Sequence, residues 1–132
     1  MKTDSNNPSD WLFLANSDLE ALQILIEHES GYYMCRSKLA EVLEKILKAE
    51  LIRLGWILEK THDLQKLTDE LSDRKSDIID EVQELGESLS EAYIAGRYPG
   101  FDLEDPDWPS LKEKVRIISN LLIKIKSRIN DK

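Results

Sequence analysis

Apolar residues recur along the chain at alternating steps of three and four, the spacing that places side chains on one face of a helix. The first such stripe consists of Leu12, Ala15, Leu19, Leu22 and Ile26. It predicts a helix from about Trp11 to about Glu29, with Ser9 or Asp10 as the N-cap. Gly31 ends this segment.

A second stripe is wider than the first. Its members are Ala40, Leu43, Leu47, Leu51 and Leu54, with Val42 and Ile46 beside them. It predicts a second helix from about Tyr33 to about Leu54. Gly55 follows directly, and a glycine at this place suits the left-handed conformation that ends a helix.

The apolar pattern of residues 61–96 contains one interruption, the string SDRKSD at residues 72–77. One unbroken helix over 61–96 would be about 54 Å long, against roughly 30–35 Å for the other helices. We therefore predict a break near residues 72–77. A short third helix would begin with Thr61 as N-cap and Asp63 in its first turn. A separate fourth helix would follow the break.

The last stripe is the most regular. It steps through Leu111, Val115, Ile118, Leu122, Ile125 and Ile129. Asp107 can cap this helix, and Pro109 fits its first turn. No segment alternates as a strand would. The predicted fold class is all-α: an antiparallel up-and-down helical bundle with four main helices and one short helix. We expect a single domain at residues 9–130 behind a flexible N-terminus at residues 1–8.

Composition narrows the function classes. The net charge of −8 argues against general nucleic-acid binding. No apolar run reaches the roughly 18 residues of a membrane span, and the first residues lack the apolar core of a secretory signal. The single cysteine, Cys35, leaves no internal disulfide and no thiolate metal cluster. We expect a cytoplasmic protein without membrane contact.

Charge is unevenly distributed along the chain. Residues 77–91 carry acidic side chains and no basic one, whereas residues 110–132 are mostly basic. Two solvated helix faces that lie side by side would explain this pattern. A basic strip that meets phosphates is the alternative.

Strong catalytic signatures are missing from the sequence. It contains no glycine-rich phosphate loop, no zinc-ligand pair and no nucleophile elbow, so we predict no catalytic residue, no metal and no cofactor. Among the carboxylates, only Asp18 is placed close to the inward face of a helix. It would either bond to a neighbouring helix or lie near a ligand.

His62 lies at the predicted start of the third helix, next to Lys60 and Asp63. One interpretation is capping and packing. The other is an anion held by the free N–H groups of the helix start, with His62 turned toward it and Lys60 assisting.

The segment Gly96–Gly100 reads GRYPG and interrupts the helical pattern. Pro99 stiffens it, so Arg97 and Tyr98 are held in place. Together they could stack on a base and pair with a phosphate, or they could close one end of the bundle. If the chain reverses near residues 72–77, Arg97 approaches His62.

Four short motifs now occur in series. They are W-x-x-x-A-x-x-D-L-x-A at Trp11–Ala21, E-K-x-x-K-A at Glu44–Ala49, T-H-D-L at Thr61–Leu64 and R-Y-P-G at Arg97–Gly100. In this order and with these separations the chain resembles a HEPN domain, from residue 11 to about residue 129.

The resemblance implies an up-and-down helical bundle that is usually a homodimer. It also implies nucleotide binding and pairing with a small nucleotidyltransferase, often within toxin–antitoxin or stress and defence systems. Carried over by position, it indicates nucleotide- or anion-binding residues at His62, Asp63, Arg97 and Tyr98, with Lys45 and Lys48 as outer candidates. Lys60 remains a candidate because of its place beside His62.

The chain departs from the family pattern in two places. Ribonucleases of the family resemble one another in an Arg followed by a His after four to six intervening residues, whereas eight residues separate Arg53 from His62 here. A Gln-Gln pair common in the family is replaced by Ala40-Glu41. A binding module is therefore favoured over a ribonuclease toxin or a purely structural interaction bundle.

Overall fold

The computed structural model describes residues 5–89 and 105–130. These residues form five helices: α1 (Pro8–Glu27), α2 (Tyr32–Arg53), α3 (Leu64–Asp73), α4 (Ile79–Leu89) and α5 (Trp108–Asn130). No strand occurs in these two ranges, and the predicted all-α bundle is confirmed. Arg97 and Tyr98 lie outside the described residues, and the expected approach of Arg97 to His62 therefore stays a prediction.

Helix α1 begins earlier than the sequence pattern predicted. Its N-cap is Asn7, whose side chain accepts a hydrogen bond from the Ser9 amide at 3.0 Å. The expectation that Ser9 or Asp10 caps this helix was wrong. Pro8 lacks an N–H and its fixed φ suits a first helical turn, so the helix starts at Pro8. Asp10 instead accepts a hydrogen bond from the Ser5 hydroxyl at 2.6 Å.

Helix α2 is the central element and packs against each of the other helices. Its buried apolar residues therefore point in all directions; they are Tyr32, Cys35, Leu39, Ala40, Val42, Leu43, Ile46, Leu47, Ala49 and Leu51. The wide apolar stripe of α2 is thus covered by other helices of the same chain. Gly55 follows with φ of +95°, which confirms its left-handed conformation.

The helical structure is interrupted between α3 and α4, as predicted. Helix α3 ends at Asp73 and α4 begins at Ile79. In the turn, Lys75 has a φ of +54° and the Ser76 amide donates to the Leu71 carbonyl at 3.0 Å. This left-handed residue reverses the chain direction, so α3 and α4 pack against each other.

Helix α5 closes the bundle. Its N-cap is Asp107, which accepts from the Ser110 amide at 3.1 Å, as expected. The apolar heptad is buried from Leu111 to Ile125, and Ile129 packs at the edge of the core. Helix α5 runs antiparallel to α1, because residues near its start approach the end of α1. It runs parallel to α2, with the Tyr32 and Trp108 rings in edge contact at 5.2 Å.

The acidic and basic segments lie side by side, as the first of the two interpretations predicted. Arg128 of α5 donates to Asp77 at 2.5 Å, and Lys124 lies 3.5 Å from Glu81. Within the described ranges, no helix combines the length and apolarity needed to cross a bilayer.

Candidate functional site

A cavity of about 380 Å³ opens on the side of the bundle, between α1, α2 and the connection that follows α2. Aromatic and apolar side chains line one part of it, and charged side chains line the rest. The lining residues are Trp11, Leu14, Glu41, Glu44, Lys45, Lys48, Leu58, Glu59, Lys60 and His62.

The connection between α2 and α3 builds the outer wall. After the left-handed Gly55, the Trp56 amide donates to the Leu51 carbonyl at 2.9 Å, and the Trp56 ring is buried. This anchor turns the chain back along α2. His62 thereby reaches Glu44, which lies 18 positions earlier in the sequence.

Glu44 is the centre of the polar part. Only 6% of its side chain is exposed, and its carboxylate accepts a hydrogen bond from the Lys48 ammonium at 3.0 Å. The Nδ1 atom of His62 lies 3.0 Å from one carboxylate oxygen and 3.1 Å from the other. Because a carboxylate paired with an ammonium only accepts hydrogen bonds, Nδ1 donates in this contact. Glu44 therefore fixes both the Lys48 ammonium and the orientation of the His62 ring.

Trp11 supplies the aromatic wall. Its indole Nε1 donates to the Ser5 carbonyl at 2.7 Å, which fixes the ring plane. The Lys48 ammonium lies 4.9 Å from the ring centroid, within the range of a cation–π interaction. The ring is thus held by two contacts, one with Ser5 before the start of α1 and one with Lys48 on α2.

Carboxylates hold most of the lysines around the cavity. Lys45 donates to Asp18 of α1, which confirms that Asp18 bonds to a neighbouring helix. Glu41 is paired with Lys38 at 3.0 Å. Glu59 is hydrogen-bonded to Lys66 at 2.6 Å, and this contact raises the pKa of Lys66.

The start of α3 is capped from within the chain. Asp63 is the N-cap, and its side chain accepts from the amides of Gln65 at 3.0 Å and Lys66 at 3.2 Å. Thr61 accepts from the Asp63 amide at 3.1 Å. The prediction of Thr61 as N-cap, with Asp63 inside the first turn, was wrong. The Asp63 carboxylate occupies the N–H groups that the anion hypothesis required.

The predicted site residues divide into three groups. Lys45, Lys48, Lys60 and His62 line one cavity. Asp63 caps α3 beside it, and its side chain bonds to its own helix. Arg97 and Tyr98 lie outside the described residues.

The sequence interpretation missed Glu44 and Trp11 as parts of the site. It expected Asp18 alone among the carboxylates to lie near the inward face, whereas Glu44 and Glu50 are buried and Asp18 is half-buried. A signal was present. Apolar residues surround α2 on all sides, and a helix of that kind lies in the centre of a bundle, where its polar residues are enclosed as well.

The described residues form an all-α domain with a cavity of ligand size on its side. Within residues 5–89 and 105–130, no group of three or more His, Cys, Asp or Glu side chains could hold a metal ion. The model of the HEPN domain family matches residues 8–126, and the chain belongs to this family. The comparisons with curated proteins and with solved structures gave no match.

Proposed function

We propose that this HEPN domain is a binding module that holds a nucleotide in the cavity between α1, α2 and the connection that follows α2. The observation that carries the proposal is the convergence of the Trp11 ring with the amino groups of Lys45, Lys48 and Lys60 in one cavity. An indole ring offers a base a stacking surface, and ammonium groups attract phosphate oxygens.

The size of the cavity agrees with this proposal. Small-molecule sites have volumes of roughly 300–1,000 Å³ and are mostly apolar, with a few fixed polar groups. The cavity, of about 380 Å³, is near the lower limit of that range. Lys45 and Lys48 are held in place by Asp18 and Glu44, so these two side chains need little ordering when a ligand binds.

Nucleotide titration followed by amide and indole chemical shifts tests the proposal. We expect the shifts to be concentrated at Trp11, at residues 44–48 and at residues 58–62. Lys60→Gln should weaken binding several-fold because it removes an exposed ammonium from the rim. Lys112→Gln, at the start of α5 and paired with Glu29 beyond the end of α1, serves as the control. Unchanged spectra at millimolar nucleotide would exclude the small-molecule function.

We further propose a homodimer, formed through the adjacent surfaces of α1 and α5. Phe13, Ile24 and Ile123 are exposed by 66%, 61% and 67%. Phe13 and Ile24 are eleven positions apart, which places them on the same side of α1. The Gln23 side chain bonds to Ser119 at 3.1 Å, so Ile123, one turn further along α5, borders the same surface.

Light scattering on substituted proteins tests the dimer. Phe13→Glu and Ile123→Glu should each shift a micromolar sample toward monomer, because a buried unpaired carboxylate opposes association. Ile57→Glu is the matched control, since Ile57 is 86% exposed but lies on the α2–α3 connection. A monomeric unsubstituted protein would reject the dimer.

Membership of the family also supports a protein partner. We propose pairing with a small nucleotidyltransferase in a toxin–antitoxin or defence system. Co-expression with a nucleotidyltransferase encoded beside this chain should give a complex that survives size-exclusion chromatography. Separate elution of the two proteins at micromolar concentration would reject the pairing.

RNA cleavage is a second candidate, favoured by the contact between Glu44 and His62. A buried carboxylate that fixes an imidazole through Nδ1 is a common arrangement for general acid–base catalysis. The Arg–His spacing of the family's ribonucleases is absent, which weighs against it. Cleavage of RNA by purified protein, lost in His62→Ala and retained in His28→Ala, would establish this activity.

A further inference from the structure

We infer that the cavity selects a nucleotide with a single phosphate group, a nucleoside monophosphate, and discriminates against nucleoside triphosphates. This inference rests on the proposed nucleotide-binding function and adds the charge of the ligand. It follows from the way in which the lysines and glutamates of the lining are paired.

Among the described residues that line the cavity, only one lysine is available for an incoming phosphate. Lys45 is bonded to Asp18, and Lys48 is held by Glu44. Lys60 is exposed, and within the described residues no carboxylate pairs with it. A single unpaired ammonium matches a single phosphate group, since each further phosphate would have to displace a carboxylate from Lys45 or Lys48.

The glutamates of the lining oppose additional negative charge. The described part of the lining contains Glu41, Glu44 and Glu59 against three lysines, so the charges of these residues nearly cancel. Each glutamate has a cationic partner, with Lys38 at 3.0 Å from Glu41 and Lys66 at 2.6 Å from Glu59. A triphosphate would place extra negative charge beside these glutamates, and no further lysine or arginine among the described lining residues would compensate it.

The aromatic part of the cavity makes the base necessary for binding. Trp11, Leu14 and Leu58 form this part, and the Trp11 ring is fixed by its hydrogen bond to Ser5. Stacking on an indole ring depends on the base and not on the phosphates. Inorganic phosphate alone should therefore bind much more weakly than a nucleoside monophosphate.

The test is a set of titrations monitored through the indole N–H signal of Trp11, which Trp11→Phe identifies by its loss. The probes are adenosine and guanosine as nucleosides, monophosphates and triphosphates, together with inorganic phosphate, at constant ionic strength without Mg²⁺. We expect the monophosphate to bind tightest and the triphosphate about tenfold more weakly.

Charge-removing variants show whether the glutamates cause the discrimination. Glu41→Gln and Glu59→Gln should each reduce the difference between mono- and triphosphate, chiefly by improving triphosphate binding. Glu113→Gln on exposed α5 is the control and should leave both affinities unchanged. An unchanged ratio in both cavity variants would overturn the charge argument.

The outcomes separate this inference from the proposed function. A triphosphate that binds as tightly as the monophosphate, or more tightly, overturns the inference and leaves nucleotide binding intact. Equal binding of inorganic phosphate and monophosphate overturns the role of the base. A Trp11 signal unaffected by every nucleotide rejects the proposed function, and the inference is rejected with it.

Discussion

Two glutamates on α2, Glu44 and Glu50, are both buried, and their partners are different in kind. Glu50 is fully enclosed and accepts hydrogen bonds from Arg53 at 2.5 Å and from Arg128 at 2.6 Å. Glu44 is bonded to Lys48 and His62. One carboxylate is thus held by two guanidinium groups, and the other by an ammonium and an imidazole.

The partners of the two glutamates also lie in different parts of the molecule. Arg128 continues from Glu50 to Asp77 in the turn before α4, so the Glu50 cluster connects α2, α5 and that turn. The partners of Glu44 line the cavity, and 66% of the His62 side chain is exposed. Burial of a carboxylate does not by itself indicate a binding site. Whether a buried carboxylate belongs to one depends on whether its partners face a cavity, as those of Glu44 do, or the interior of the fold.

The largest loss of stability is expected from the substitution Glu50→Gln. It removes the charge that two guanidinium groups share, and a broken buried ion pair costs about 3 kcal/mol or more. Urea unfolding followed by circular dichroism should show this loss in the free energy of unfolding, with an unchanged m-value. Nucleotide binding to the remaining folded protein should be unaffected.

The control for Glu50 is Glu113→Gln. Glu113 pairs with Arg116 on the exposed surface of α5 at 2.5 Å, and no measurable change in unfolding is expected there. Equal effects of the two substitutions would show that the Glu50 cluster does not stabilise the fold.

A smaller loss of stability is expected from Glu44→Gln, about 2 kcal/mol, because only one enclosed cation, Lys48, loses its partner and the cavity admits water. The double variant Glu44→Gln/Lys48→Met should recover much of that loss, since it leaves no unpaired charge. In both variants we expect weaker nucleotide binding. A folded Glu44→Gln protein with full affinity would reject the assignment of Glu44 as the organiser of the site.

The substitution His62→Gln separates an effect on nucleotide binding from an effect on stability. The exposed ring contributes little to packing, so the free energy of unfolding should change by less than about 0.5 kcal/mol. Nucleotide affinity should fall by about 1 kcal/mol, or roughly fivefold, through the loss of a cavity-wall side chain. His28→Gln, at the exposed end of α1, is the control for both measurements.

The smallest effect concerns pH and the Glu50 cluster. The hydrogen bond from Arg128 lowers the pKa of Asp77 below its usual value. A lowered pKa in the folded state stabilises the protein above the unfolded value of about 4, and this contribution is lost as the pH falls through the folded value. Because Asp77 is 60% exposed, the effect is small.

Asp77→Asn should therefore be slightly less stable than the unsubstituted protein at pH 7, and the difference should shrink below about pH 4. Urea unfolding at several pH values measures it. A difference that stays constant over this range would contradict the role of Asp77.

The helices could largely be predicted, because each has a stripe of apolar residues whose period depends only on local sequence. The α3–α4 break was also predictable, from the polar string at residues 72–77 and from the length of a continuous helix. Helix starts were less predictable. Asn7 and Asp63 are the N-caps of α1 and α3, where the sequence pattern favoured Ser9 and Thr61. Neighbouring residues of these types have similar capping ability, so small differences between them decide which one caps the helix.

The candidate site could be predicted in part. The family resemblance indicated Lys45, Lys48 and His62, and the position of Lys60 beside His62 indicated Lys60; all four line one cavity. Glu44 and Trp11 were not recognised as site residues. Their roles depend on contacts with Lys48, His62 and Ser5, and no local pattern in the sequence shows which of these side chains will meet.

The sequence by itself determined the all-α class, the number and approximate extent of the described helices, the break before α4 and the membership of the HEPN family. These follow from period, capping chemistry and motif order, which are properties of neighbouring residues. The tertiary structure decided that α2 lies at the centre, that Glu44 and Glu50 are enclosed, and that His62 folds back onto α2. Those outcomes depend on which helix faces are covered, and that is fixed only when all the helices pack together.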